Sequence, residues 1–397
     1  MKICTVCQEL EANLEDIRLY CSEFIGKLES LCGFEIAEGS LEEIRKQGIT
    51  PVLVASGGSE RNFLKCCEKL SGPFVLITIP AFNSLAASLE IKGFLDARGE
   101  KVEILHGSVE YIADRLKTIM EAEEAIQRMK GLRLGSIGDP TGLIASMADR
   151  DTLLKSSGME IVRIELAELV SEYHKGGYPM NPLVEDLLAH SFDRAEMEKA
   201  LDVYGALKRL VDKYNLDGLA LKCFDLLDLI GTTGCLGLAI LNAEGIPASC
   251  EGDTMALISI MIVKLVTGRS CFMANPSSMD FDEGTMVLAH CTIPLVMTSS
   301  YDLTTHFESG IGVAVDSVVE PGAVTIFKCD DTLKRVFIER AELIASLHEA
   351  HLCRSQMKLK PERGPKYLLD NAVCNHQCIV LGDWSREFRE FFSLLGV

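Results

Sequence analysis

The sequence predicts an α/β protein with a β-rich C-terminal part. Strand-like apolar runs alternate with helical periods over the first third of the chain, and a second series of this kind begins near Met129. After about Gly268, short β-type runs separated by turn residues replace the helical periods. Alternation of this kind favours a parallel sheet flanked by helices, whereas successive short strands favour an antiparallel barrel or sandwich. We therefore expect three domains, at 1–129, 130–268 and 269–397.

The first domain follows from a recurring order of strand, turn and helix. KICTVC is a strand before an amphipathic stretch from Glu9 to Leu31, and TPVLVASGGSE is an apolar run that ends in a Gly pair. GPFVLITIPAFNS repeats this pattern before the helical SLAASLEIKGFLDARG, and KVEILHG follows. Apolar runs bounded by turn residues, with helical periods between them, are typical of parallel β-α units.

The second domain restarts this order, and the third departs from it. GLRLGSIGDPTGLIAS, MEIVRIELAELV and LDGLALKCFDLL read as strands that lead into turns, with a long helix between Ala195 and Tyr214. TMALISIMIVKLVTG is too short for a membrane span and Lys264 interrupts it, so we expect a buried helix. SCFMANP, TMVLAHCTIPLVMTSS, GIGVAVDSVVEPGAVTIFKC and RVFIERAEL are the β-type runs of the third domain.

Composition restricts the partners and the compartment. The 397 residues carry a formal charge of −19, from 58 acidic and 39 basic residues without a Lys/Arg block, which disfavours nucleic acid and anionic membranes as partners. A small-molecule ligand is expected instead. The 15 scattered cysteines, with no N-terminal signal segment before them, indicate buried thiols in a reducing cytoplasm. Cys4 and Cys7 have redox spacing, but two thiols of one strand explain them as well.

Three turns follow strands at positions where α/β proteins bind ligands. These turns contain Gly57 and Gly58, Asn83, and Gly138-Asp139-Pro140. Glycines let backbone N–H groups approach a ligand, yet GxGxxG and GxxxxGKS are both absent, so neither a dinucleotide nor a nucleotide cradle is supported. Plain tight turns, with Asn83 or Ser84 as a helix N-cap, are the alternative.

An acidic turn and several histidines could carry chemistry. Glu251 and Asp253 flank a glycine just before the buried helix, where they could bind Mg²⁺ or Mn²⁺ or act as acid and base, unless Asp253 only caps the helix. His376 is isolated near the chain end, as expected of a single imidazole that joins carboxylates from elsewhere at a metal. His290, in a β-type run, fits a buried core residue, and His306 lies in a loop.

Several of these segments together resemble the L-fucose/L-arabinose isomerase-like proteins. The resemblance lies in CEGD, VLAHC, HFESGIGV, EPGAVTIF and NHQCIVLGDWSREFREFFSLLGV, and more weakly in VASGGSE, PAFNSLAASLE and LGSIGDP. It implies two Rossmann-like three-layer α/β domains followed by a β-rich, barrel-like domain. It also implies Mn²⁺ or another divalent cation, and a homo-oligomer, a trimer or hexamer, with the active site between subunits. The turns at Gly57 and Asn83 would then face another subunit's site.

The resemblance also assigns roles to individual residues. Asp253 matches a carboxylate ligand of the metal, His376 matches a C-terminal histidine ligand, and His290 matches a histidine near the metal. One departure concerns the family's catalytic Glu, which follows a Lys-Cys pair by a few residues, because Leu226 stands at that position here. Asp225 and Asp228 are the neighbouring carboxylates that could replace it.

The resemblance therefore implies a metal-dependent aldose–ketose isomerase, an intramolecular oxidoreductase that works through a cis-enediolate. Asp253, His376 and either Asp225 or Glu251 would hold the metal, with His290 as a further candidate ligand and one carboxylate acting as base. The sugar would be unphosphorylated, since Arg61 is the only cation near the ligand-binding turns. The residues expected to contact the sugar or support the site are Gly57, Gly58, Asn83, His290, His306, Asn375 and Trp384. The alternatives are a non-catalytic sugar-binding or regulatory protein and another metal-dependent carbohydrate lyase or epimerase.

Overall fold

The computed structural model describes residues 1–8, 13–67 (without the side chain of residue 67), 69–138 and 143–397. The predicted turn at Asp139-Pro140 and the start of the helix expected from Glu9 lie outside these residues. The chain divides into two compact units, Met1–Gln127 with Leu394–Gly396, and Arg128–Ser393 with Val397. The finer division into three domains stays a prediction.

The first unit contains a five-stranded parallel sheet in the order β2-β1-β3-β4-β5. The strands are β1 (Lys2–Val6), β2 (Ala37–Glu38), β3 (Thr50–Val54), β4 (Phe74–Thr78) and β5 (Val102–Leu105), and the helices of this part of the chain are α1 (Leu14–Cys32), α2 (Leu41–Arg45), α3 (Glu60–Cys67), α4 (Ser84–Ala97) and α5 (Val109–Met129). All residues of β3 and β4 are buried, as expected of parallel strands covered on both faces.

Helices cover both faces of this sheet and form three layers. Leu53 packs in a core with residues of α1 and α5, whereas Val52 and Val54 pack in a second core with residues of α3 and α4. Cys4 lies in the second core and Cys7 packs against the first. The Cys-x-x-Cys spacing therefore places the two thiols on opposite faces of the sheet, where they do not face each other as a redox pair.

The second unit begins with a four-stranded parallel sheet in the order β7-β6-β8-β9. Its strands are β6 (Arg133–Ile137), β7 (Glu160–Ile164), β8 (Gly218–Leu221) and β9 (Ala248–Ser249), and its helices are α6 (Arg150–Ser157), α7 (Leu166–Tyr173), α8 (Pro182–Ala189), α9 (Arg194–Tyr214), α10 (Asp225–Ile230), α11 (Cys235–Ala243) and α12 (Thr254–Thr267). Eleven of the fourteen residues of α12 are buried, which confirms the buried helix predicted from its apolar sequence.

The second unit ends in a closed antiparallel barrel of six strands. These are β10 (Phe272–Asp280), β11 (Thr285–His290), β14 (Gly322–Cys329), β15 (Val336–Leu347), β16 (Ser355–Pro361) and β17 (Gln377–Leu381), beside a hairpin of β12 (Ser300–Thr304) and β13 (Ala314–Val318), a 3₁₀ turn (Leu295–Met297), α13 (Pro365–Asn371) and α14 (Ser385–Leu394). The barrel closes where β17 pairs with β10, and α12 packs against β14 and β17. Two parallel α/β sheets followed by a barrel confirm the predicted fold class.

Within the described ranges, no helix combines the length and the apolar character needed to cross a bilayer.

Candidate metal centre

The acidic turn joins the end of β9 to the start of α12. Glu251 has φ 57° and Gly252 has φ 68°, so two consecutive residues adopt the left-handed conformation. Gly252 N donates to the carbonyl of Leu221, at the end of the neighbouring strand β8, over 2.8 Å. A left-handed conformation costs a non-glycine residue about 1–3 kcal/mol and is uncommon among such residues. The turn lies at the carboxyl end of a parallel sheet, where α/β proteins bind ligands.

Glu251 faces two imidazoles that the barrel supplies. Nε2 of His290, at the end of β11, lies 3.6 Å from Glu251 Oε1, and Nε2 of His376, just before β17, lies 3.5 Å from the same oxygen. The two rings meet edge to face, with centroids 5.5 Å apart. One potential ligand atom from each of these three residues lies within 4.8 Å of the others. This spacing could accommodate a metal ion.

The other nitrogen of each imidazole has a polar partner. Nδ1 of His290 lies 3.1 Å from Thr292 Oγ1, and Nδ1 of His376 lies 2.7 Å from Asp253 Oδ2. Metal-binding histidines are commonly oriented in this way through their second nitrogen. Nε2 of His376 is buried and makes no hydrogen bond with the described residues. A buried ring nitrogen that makes no hydrogen bond and faces a carboxylate and a second imidazole fits a divalent cation.

Asp253 uses both carboxylate oxygens within the protein. Oδ1 accepts a hydrogen bond from Ala256 N at 2.6 Å, which caps α12, and Oδ2 accepts from His376 Nδ1. The cap predicted from local sequence is therefore present. The pairing of Asp253 with His376, at positions far apart in the sequence, is present as well. In this arrangement Asp253 lies behind the imidazole, on the side away from Glu251.

The charges of the centre shift the pKa values of three groups. Burial opposes ionisation of Glu251, but its polar contacts with His290 and His376 hold its pKa below the usual range. Burial also opposes ionisation of Asp253, yet the charge of Lys328 and the hydrogen bond with His376 lower its pKa. Burial disfavours protonation of His376, but its contacts with the two carboxylates raise its pKa to about 9. Without a metal, His376 is therefore a cation between two anions at neutral pH.

Lys328 was missed by sequence reasoning. It lies in β14, is 0 % exposed, and places Nζ 3.9 Å from Asp253 Oδ2. The signal in the sequence is a lysine near the end of the apolar run AVTIFKC. Thr292, two residues after His290, was missed too, because a threonine in a β-rich segment is ordinary.

Asp225 and Asp228, the carboxylates next to Leu226, lie in an environment different from that of Glu251. Asp225 begins α10 and pairs with Lys222, with Nζ 2.8 Å from Oδ2. Leu226 is fully buried in the core, and Asp228 is exposed. The structure therefore groups Glu251, and neither Asp225 nor Asp228, with the two imidazoles.

His306 and Asn375, two further candidates, lie in loops of the second unit. His306 is largely buried, with Nδ1 3.0 Å from Ser309 Oγ and its ring against Phe224. Asn375 is exposed beside His376 and accepts a hydrogen bond from Ser146.

Trp384 is held by contacts away from this centre. Its indole N–H donates to Leu381 O at 2.9 Å, and the guanidinium of Arg269 lies over its ring. These contacts involve none of the three potential metal ligands, so its sugar-binding role stays a prediction.

Gly57, Gly58 and Asn83 come together in the first unit. Gly57 N donates to Phe82 O over 2.7 Å, and a Cβ at position 57 would lie 3.0 Å from Asn83 Cβ, so the two turns touch. Gly58 follows in the same turn with φ 76°. Asn83 occupies the N-cap position of α4 with φ 58°, but its side chain makes no capping hydrogen bond. The expected place of these turns at another subunit's site stays a prediction.

Several proteins of named activity are similar to this chain. No family model matches the chain. The chain is similar to the sulfoquinovose isomerases of Priestia aryabhattai and of Priestia megaterium (strain ATCC 12872 / QMB1551), with 23% identity over 358 residues in each case, which covers 81% of this chain and 78% of the relative. A sulfoquinovose isomerase of Clostridium sp. (strain MSTE9) is 26% identical over 222 residues, or 53% of this chain and 49% of the relative.

Proposed function

We propose that the protein is a metal-dependent aldose–ketose isomerase that acts on an unphosphorylated sugar. The observation that carries the proposal is the convergence of Nε2 of His290 and Nε2 of His376 on Glu251 Oε1, at 3.6 and 3.5 Å. The similarity to proteins named sulfoquinovose isomerase, over most of the chain, supports a sugar isomerase. Sulfoquinovose is therefore the first substrate to test.

Glu251, His290 and His376 would hold Mn²⁺ or another divalent cation. Two imidazoles and a carboxylate suit a first-row divalent metal, because such metals accept nitrogen and oxygen ligands together. A cation at this position supplies a Lewis acid that stabilises negative charge on adjacent sugar oxygens during isomerisation. Asp253 and Thr292 would orient the two rings from behind, through the Nδ1 atoms.

Glu251 is the carboxylate of the acidic turn that a sugar could reach. Its side chain is 22% exposed, whereas that of Asp253 is 0% exposed and has both oxygens occupied. Isomerisation moves a proton between two neighbouring carbons, which requires a carboxylate or similar base within reach of both. We assign that role to Glu251 in preference to Asp225, whose carboxylate pairs with Lys222.

Neutral polar groups near the centre would bind the sugar hydroxyls. Asn375 is exposed next to His376, and His306 lies on a loop whose close packing requires Gly312. A Cβ at Gly312 would lie 2.6 Å from Thr233 Oγ1, so this loop rests directly on the turn before α11. The imidazole of His306 and the amide of Asn375 would act as hydrogen-bond partners of hydroxyl groups.

The test compares metal content and turnover in matched variants. Wild-type protein is loaded with Mn²⁺, dialysed, and assayed with sulfoquinovose, 6-deoxyglucose, glucose, L-arabinose and L-fucose. Glu251→Gln and His376→Ala should each lose bound Mn²⁺ and turnover. Asp225→Asn is the control, since it removes a carboxylate from a neighbouring turn outside the three-residue group, and it should retain both.

The outcomes separate the proposal from its alternatives. Unchanged Mn²⁺ content in Glu251→Gln and His376→Ala would overturn the metal site. Metal-independent sugar binding without turnover would indicate a sugar-binding or regulatory protein. Metal-dependent turnover to products other than the ketose would indicate a lyase or an epimerase.

A further inference from the structure

Lys328 is a completely buried cation beside the candidate metal centre. Its side chain is 0% exposed, and Nζ makes no hydrogen bond with any residue that the structure describes. Removing an ammonium group from water is costly unless an opposite charge compensates it. A buried lysine of this kind therefore requires an explanation in terms of its charged neighbours.

The charged neighbour of Lys328 is Asp253, with Oδ2 3.9 Å from Nζ. The next residue of β14, Cys329, donates its backbone N–H to Ser259 Oγ of α12 over 3.2 Å. The strand is thus fixed against the helix one residue from Lys328, while Asp253 caps the start of the same helix. Because both side chains are fully buried, solvent screens their attraction far less than it would at the surface.

We propose that Lys328 is a positioning residue of the metal centre. Lys328 anchors the Asp253 carboxylate, and Asp253 in turn holds the His376 ring with Nε2 towards Glu251. The proposal rests on the proposed function, since it treats Nε2 of His376 as a metal ligand. Lys328 has no exposed surface, so it would act through Asp253 without touching the sugar.

The geometry explains why an anchor is needed at Asp253. Oδ1 is bound to Ala256 N and Oδ2 to His376 Nδ1, so the carboxylate holds the ring only in one orientation. A turn of the carboxylate would release the imidazole, and Nε2 would move away from Glu251. The positive charge near Oδ2 favours the observed orientation, and an uncharged side chain of similar length would not.

The first experiment observes His376 directly, without metal or substrate. In histidine-labelled ¹⁵N protein, the Nδ1 proton of His376, bonded to a buried carboxylate, should give a strongly downfield resonance, assigned by its loss in His376→Ala. Asp253→Asn should abolish the downfield shift while keeping an oxygen to cap α12. Lys328→Met, which keeps the aliphatic stem and removes the charge, should move the resonance upfield or broaden it. Lys264→Met, which removes an exposed lysine of α12, should leave it unchanged.

The second experiment measures Mn²⁺ affinity and steady-state kinetics. Lys328→Met should weaken Mn²⁺ binding by about 10- to 100-fold, as is typical when a group that orients a metal ligand is lost. With saturating Mn²⁺, kcat should fall while KM for the sugar changes little. The double variant Lys328→Met/Asp253→Asn should bind Mn²⁺ no more weakly than Asp253→Asn alone, because the two residues act in series.

The results distinguish failure of this proposal from failure of the proposed function. A wild-type resonance and wild-type Mn²⁺ affinity in Lys328→Met would overturn the positioning role, as would multiplying losses in the double variant. If the wild-type protein isomerises no sugar while Lys328→Met still shifts the His376 resonance and weakens Mn²⁺ binding, the function fails and the positioning role stands. Should Lys328→Met not fold, the Mn²⁺ affinity of the charge-balanced double variant Lys328→Met/Asp253→Asn is compared with that of Asp253→Asn. A weaker affinity in the double variant would overturn the positioning role.

Discussion

A proton on His376 should compete with a divalent cation for Nε2. The two carboxylates raise the pKa of His376 to about 9 in the metal-free protein, and a metal binds only the neutral ring. At about pH 7 the neutral form is therefore about 1% of the population, because two pH units below a pKa correspond to a factor of about 100. We expect the apparent Mn²⁺ affinity to rise about tenfold per pH unit between about pH 7 and pH 9, and then to level off.

Calorimetric titration of the metal-free protein with Mn²⁺ measures this competition. In two buffers with different ionisation heats at about pH 7, binding should release about one proton per ion. Asp253→Asn is the informative variant, since loss of one hydrogen-bonding carboxylate lowers the pKa of His376 and so flattens the pH dependence. Equal dissociation constants at about pH 7 and pH 8, with no proton release, would refute the reasoning.

The raised pKa of His376 also makes the stability of the metal-free protein depend on pH. The folded-state pKa of His376 lies above the ordinary value of 6.5, so its protonated form stabilises the fold. This contribution is fully present below about pH 6.5 and is lost as the pH rises through about 9. A difference of about 2.5 pKa units corresponds to roughly 3 kcal/mol. Urea unfolding at both ends of this range, with His376→Ala as the reference that lacks the contribution, should show the difference.

Two further substitutions test the surroundings of the centre. Leu226→Glu restores the residue type of the fucose isomerase pattern but buries a carboxylate in the core. It should therefore destabilise the fold by about 3 kcal/mol or more in thermal unfolding. Its control, Leu226→Met, should cost less than about 1.5 kcal/mol. Thr292→Val removes the partner of His290 Nδ1 and should weaken Mn²⁺ binding by about 10-fold. Thr298→Val, which removes a hydroxyl bonded to a backbone carbonyl, is its control, and equal Mn²⁺ affinity in both variants would contradict the role of Thr292.

The layers of the fold could be predicted because they depend on local patterns. The apolar runs of β3 and β4 and the all-round apolar sequence of α12 indicate burial without knowledge of their neighbours. The choice between barrel and sandwich remained open at the sequence level. Closure depends on the pairing of Phe272 with Ile379, more than a hundred residues apart, and nothing in either strand records that partner.

The residues that the structure groups at the candidate centre could be singled out in the sequence, but the contacts of each residue could not, and their roles stay predictions. Glu251, Asp253 and His376 stood out by residue type and position, and His290 stood out by resemblance. Whether a carboxylate binds a metal or orients an imidazole depends on which atoms its two oxygens face, and sequence does not contain that information. For the same reason Lys328 could not be distinguished from a lysine that ends an exposed strand.

The charges around Asp253 explain how a carboxylate can be completely buried at this position. The N-terminal end of α12, the ring of His376 and the ammonium of Lys328 all present positive potential to one negative charge. Asparagine at position 253 would keep the cap but would leave Lys328 as an uncompensated buried cation, which is costly. Asp253→Asn should therefore destabilise the wild-type chain more than it destabilises Lys328→Met. The fold and the proposed metal centre would then both depend on the pair of Asp253 and Lys328, and the double variant Lys328→Met/Asp253→Asn separates the two effects.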